Sequence, residues 1–136
     1  MNHFYGSIAD VIAAFHLAYV VFAVGGEVYI LAGAALRRKA ARNFVFRVVH
    51  VSSVVLVAME AITGAECPLT LWEYRFRHLA GQGVEEHLSF IARLAGALVF
   101  YDFPAWVFTI VHISFGCLVV LTYVLIPPDP PHRNRR

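Results

Sequence analysis

The sequence predicts an all-α integral membrane protein, with three transmembrane helices and two short extramembrane or interfacial helices between the second and third spans. Three observations carry this. Of 136 residues, 60% are hydrophobic and only 15% charged, with a mean hydropathy of +0.67. A soluble chain of this size needs more charge, because small proteins have much surface for their volume. Apolar runs at 11–36, 44–64 and 105–126 are each long enough to cross a hydrocarbon core of about 30 Å. Proline and glycine break the chain between them. The length suits one transmembrane domain over 1–136.

The first run, 11–36, is apolar but for His16, Tyr19, Glu27 and Tyr29, and crosses with tilt. Its start lacks the basic flank of a secretory signal, so the segment is read as retained. It ends in the basic cluster Arg37-Arg38-Lys39-Ala40-Ala41-Arg42, after which Asn43 is placed to cap the next helix. The second run, 44–64, carries Arg47 near its start, where the side chain is expected to snorkel back to the headgroups. His50, Ser52, Ser53 and Glu60 lie inside it, and Gly64 and Pro68 close it.

The next stretch has the density of a motif: Glu66-Cys67-Pro68-Leu69-Thr70-Leu71-Trp72-Glu73-Tyr74-Arg75-Phe76-Arg77. Thr70-x-x-Glu73 has the form of a capping box, with Leu69 and Tyr74 at the staple positions, so a short helix is expected over 71–80. Glu73 and Arg77 form an i,i+4 pair in the favourable order. A second short helix is expected at 88–101, lying at the interface because it is too short to cross. Pro104 restarts the chain into the last span, which holds His112, Ser114 and Cys117. The proline-rich tail at 127–136 reads as disordered.

Basic residues group at the first connection and in the tail (Arg133, Arg135, Arg136), and the N-terminus has none before the first span. Three spans with the N-terminus outside put both groups in the cytoplasm. The small net charge of +2 makes nucleic acid a poor partner; the lipid bilayer and other membrane-protein subunits are the expected ones.

Ionisable groups inside a bilayer are costly and are paired or functional. Counting depth from the span ends pairs His16 with Glu60 in one leaflet and Glu27 with His50 in the other. His16 and Glu27 lie close to three turns apart and share a face. Three readings stay open. The pairs hold the bundle together; or His16 and His112, at comparable depth, grip a haem b iron, with His50 too far inward to join them; or the groups form a proton or quinone path. The first gives an accessory or structural subunit of a membrane complex, which the sequence favours, with no cofactor and no enzymatic activity. The haem-b redox protein and the proton- or quinone-handling protein are the alternatives. Cys67 is either a reactive thiol at a helix start or an inert boundary residue. It fits no metal pattern with the histidines, and no catalytic triad or nucleotide motif is present. Gly25-Gly26 reads as a close-packing signal.

Cys67-Pro68-Leu69-Thr70-x-x-Glu73 with Arg77, an early His16, Gly25-Gly26, His50, Ser89-Phe90-Ile91 and the Tyr101-Asp102-x-Pro104-x-Trp106 segment resemble an uncharacterised bacterial integral membrane family, a domain of unknown function. The resemblance implies a small helical protein of the bacterial inner membrane and implies no activity.

Overall fold

The computed structural model describes residues 2–83, 96 and 104–130. Across these run four α-helices and no strand: α1 (Asn2–Ala35), α2 (Phe44–Thr63), α3 (Pro68–Leu79) and α4 (Ala105–Leu125). A 3-10 turn at Lys39–Arg42 joins α1 to α2. The helix expected at 88–101 lies outside the described residues. Three helices, His3–Ala35, Phe44–Thr63 and Ala105–Leu125, are long and apolar enough to cross a membrane.

α1 begins at Asn2, well before the span expected from residue 11. Its 34 residues make a rod of roughly 51 Å, longer than a hydrocarbon core. Ala9, His16, Ala23 and Ile30 are all buried and recur every seven residues, so one seam runs the length of the helix. Hydropathy alone misses the first turns, because what holds them helical is α3 packed along them.

α2 starts where Asn43 Oδ1 accepts the Phe46 N–H at 3.0 Å and stops at Gly64, whose φ of 69° closes the C-terminus. It runs antiparallel to α1. Tyr19 Oη donates to the Ser53 carbonyl at 2.6 Å, His50 Nε2 bonds the Ala23 carbonyl at 2.8 Å, and Phe46 packs edge-on to Tyr29. Ala23, Val54 and Val119 meet in the core, flanked by Val51 and Phe115, so α4 completes the bundle. The helices approach closely at glycines. A Cβ on Gly26 would lie 2.6 Å from the His50 ring, and one on Gly116 would lie 2.8 Å from Ala58 Cβ.

Residues 127–130, expected to be disordered, instead fold back on the α1–α2 connection. The Asp129 N–H donates to the Arg42 carbonyl at 2.9 Å and Arg42 Nε donates to the Pro127 carbonyl at 3.2 Å. The end of α4 therefore lies beside the basic connection, while α3 lies with the start of α1 at the other end. This is the alternation that three crossings require.

Candidate functional site

Charged and polar groups gather at two levels of the bundle, one at the α3 end and one at the basic end. The α3 end is built by the Cys-Pro-Leu-Thr stretch. Pro68 has its φ preset for a first helical turn and starts α3 there, with Cys67 as a cap that makes no side-chain cap bond. This overturns the capping box expected at Thr70. The proline starts the helix earlier, so Thr70 and Glu73 fall within it and their side chains are buried, 4% and 1% exposed. With Tyr74 and Arg77 they follow i, i+3, i+4, i+7 spacing, one face of the helix. That face packs on α1. Phe76 stacks on Tyr5 at 6.4 Å between ring centres, and Gly6 lies open to Ala80 and Gln82.

Arg77 ties this layer together. Its Nε donates to Glu73 Oε1 at 2.8 Å, forming the expected i,i+4 pair. Its Nη2 reaches Asp10 Oδ1 of α1 at 3.2 Å, and its Nη1 donates to Gln82 Oε1 at 3.0 Å. Because α3 runs antiparallel to the first turns of α1, Thr70 and Glu73 stand near the level of buried His16. Glu60, from the last turn of α2, lies within electrostatic reach of Cys67 and Tyr19. Burial pushes the Cys67 thiol above its ordinary pKa and the Glu60 charge adds to this; the Leu69 and Thr70 N–H groups pull it down and do not win. The inert reading of Cys67 is the one that this environment supports.

The basic end is built around Arg47 and Glu27. Arg47 does not snorkel; it is 2% exposed. It turns into the bundle, where Nη2 donates to the Thr122 carbonyl at 3.0 Å and the Ile126 carbonyl at 2.7 Å, with the guanidinium 5.4 Å from the Tyr123 ring centre. Both carbonyls lie at the C-terminal end of α4, that of Thr122 also accepting the Ile126 N–H at 2.9 Å, and a cation there meets the negative end of the helix dipole.

Glu27 was expected to pair with His50. The α1–α2 register puts it elsewhere: Tyr19 faces Ser53 and Ala23 faces His50, so Glu27 comes level with Arg47. Depth counted from helix ends errs by one turn, because α1 begins and ends at different heights from α2. His50 settles on Gly26 and gives its Nε2–H to Ala23, stacked on Phe46 at 6.0 Å between ring centres. Glu27 is 2% exposed, within electrostatic reach of Arg47, and neither carboxylate oxygen has a hydrogen-bond donor among the described residues.

His112 lies half-buried on α4, its Nδ1–H donating to the Phe108 carbonyl at 2.6 Å. It stands seven residues before Val119, as His16 stands seven before Ala23. Since Ala23 and Val119 share the core, both histidines fall at one height. Among the described residues no group of three or more His, Cys, Asp or Glu is arranged to hold a metal ion.

The family model described as Protein of Unknown function (DUF2784) matches residues 7–128. The chain belongs to this family. The match takes in both polar levels, from Asp10 at the α3 end to the last turn of α4. No curated protein and no solved structure is similar enough to be matched to the chain.

Glu27 and Arg47 lie in different spans, and nothing local to either one joins them in the sequence. The signal was there in Tyr123 and the end of the last span, which a buried arginine near the start of α2 needs as its acceptor.

Proposed function

We propose that the protein handles protons within the membrane, with Glu27 as the group that takes up and releases them. One observation carries this reading: a buried carboxyl group with no hydrogen-bond donor, in a helix long enough to span a bilayer. Structural carboxylates are hydrogen-bonded when buried, as Glu73 is. An ionisable group inside a membrane that lacks this support is a functional candidate. Arg47 supplies the counter-charge and is itself fixed by α4, so it stays in place whatever Glu27 does. Glu60, His16 and Tyr19 continue the line of polar groups along the same seam towards α3, where Asp10 reaches the surface.

The test is proton flux into liposomes that contain the full chain and a trapped pH dye. The reading expects flux that Glu27→Gln abolishes and Glu27→Asp retains in part. Equal flux in wild type and Glu27→Gln, or none above protein-free liposomes, contradicts it.

The common height of His16 and His112 supports a second reading, haem b held between α1 and α4 through these two rings. His50 does not serve it, since its Nε2 is committed to the α1 backbone. A reduced-minus-oxidised spectrum of the purified protein without a Soret change removes this reading. A role as accessory subunit is supported by the apolar side chains that α1 turns outwards, Val11, Phe15, Val21 and Val28 among them, all at least 61% exposed. Co-purification of a second membrane subunit in mild detergent tests that role. We place the chain in the bacterial inner membrane with its N-terminus outside and its C-terminus in the cytoplasm, on the grouping of Arg37, Arg38, Lys39 and Arg42 at one end.

A further inference from the structure

Between α1 and α2, on the basic half of the bundle, lies an open groove of about 510 Å³ lined by Phe22, Gly25, Gly26, Tyr29, Ala40 and Phe46. Its walls are aromatic. Phe46 is held edge-on by Phe22 and Tyr29, at 6.0 and 5.7 Å between ring centres.

Its floor holds two adjacent glycines with different reasons to be there. Gly26 is explained by the protein, because its missing side chain makes room for His50. Gly25 is not: a Cβ there would meet nothing within 4 Å, and its backbone is ordinary helix. Glycine at such a position is worse than alanine by roughly 1 kcal/mol. Among the described residues nothing fills the space above Gly25.

The rim has the opposite character. Ala40 belongs to the 3-10 turn Lys39–Arg42, and Arg37, Arg38 and Lys39 are exposed beside it. Arg42 is engaged with Pro127 and Asp129, which leaves these three facing solvent. Arg37 also sits at φ 53°, in the left-handed position that ends a helix and that glycine normally fills. Its N–H and that of Arg38 bond the carbonyls of Ala34 and Gly33 at 3.1 and 2.7 Å. A non-glycine residue in that conformation costs a small backbone strain, and it leaves the Arg37 side chain exposed beside those of Arg38 and Lys39.

From the apolar, aromatic-walled groove and the cations at its mouth we infer a binding site for one anionic phospholipid. An acyl chain lies along the roughly 10 Å of α1 between Phe22 and Tyr29, above Gly25. The phosphate meets Arg37, Arg38 and Lys39, which also gather anionic headgroups by their field.

The experiment is native mass spectrometry of the full chain released from nanodiscs containing equal amounts of phosphatidylglycerol and phosphatidylcholine with matched chains. The site predicts one retained phosphatidylglycerol per chain in clear preference to phosphatidylcholine. Arg38→Gln and Lys39→Gln each reduce that preference about fivefold. Gly25→Leu fills the groove and removes the retained lipid, while its circular dichroism stays that of the wild type. Gly25→Ala keeps the lipid and shows that loss of glycine alone is not the cause. Equal retention of the two lipids, retention unchanged in Gly25→Leu, or displacement of the lipid by a short-chain quinone at equal concentration overturns the proposal.

Discussion

The two ends of the bundle treat buried charge in opposite ways. At the α3 end every charge in the Arg77 layer finds another side chain: Arg77 bonds Glu73 and Gln82 and reaches Asp10 across the helix pair. At the basic end Arg47 gives its Nη2 hydrogen bonds to the backbone of α4, and Glu27, level with it, receives none. The first arrangement is closed and suits a layer that fixes α3 on α1. The second leaves an acid with no hydrogen-bond donor beside a cation held through its Nη2, with Arg47 Nε likewise without a partner among the described residues, which suits a group that changes state. The comparison separates structure from site more sharply than burial does, since Glu73 and Glu27 are almost equally buried.

The largest expected effect lies at Arg47. Arg47→Met removes the clamp on the end of α4 and leaves Glu27 without a counter-charge, at a cost of about 3–5 kcal/mol. Unfolding in mixed micelles reads it, and the double substitution Arg47→Met, Glu27→Gln is expected to recover part of the loss. No recovery would mean that the two residues are not coupled.

Glu73→Ala comes next. Arg77 keeps Asp10 and Gln82 but loses its buried partner, costing about 1.5–3 kcal/mol in the docking of α3. Limited proteolysis between α2 and α3 should become faster while the spans stay protected. Glu27→Ala should leave that cleavage rate unchanged, because the two levels are separate.

The two glycines give a smaller and more pointed contrast. Gly26→Ala forces the His50 ring aside and is expected to destabilise by about 1–3 kcal/mol. Gly25→Ala meets open space and is expected to stabilise the isolated helix by roughly 1 kcal/mol. Equal effects at both positions would place His50 somewhere other than on Gly26.

The smallest effect is chemical. The thiol of Cys67 is pushed up by burial, so less thiolate is present at any given pH than for a free cysteine. Its alkylation by iodoacetamide should be slower at neutral pH and its rate profile displaced to higher pH. A profile displaced to lower pH would restore the reading of a reactive thiol.

The spans were legible because hydropathy and length depend on each segment alone. So were Asn43 as a cap, Gly64 as a stop and the Glu73–Arg77 pair, all set within one turn of helix. What depended on two helices at once was not. The capping box at Thr70 was a sound local reading that lost to Pro68, which starts the helix earlier and turns the same residues towards α1. Arg47 read as a snorkelling residue because its acceptors, the carbonyls of Thr122 and Ile126, belong to a helix far away in sequence. Glu27 was given the wrong partner because the offset between α1 and α2 appears in neither sequence. The heptad Ala9, His16, Ala23, Ile30 was readable throughout and would have extended α1 towards its start.

The central claim is that Glu27, and not its equally buried counterpart Glu73, exchanges a proton in the folded protein. Difference infrared spectroscopy across a pH titration tests it directly, through the carboxyl C=O stretch. The account predicts a titrating carboxyl band in the wild type and in Glu73→Gln that is missing in Glu27→Gln. A band that persists in Glu27→Gln and disappears in Glu73→Gln would contradict it.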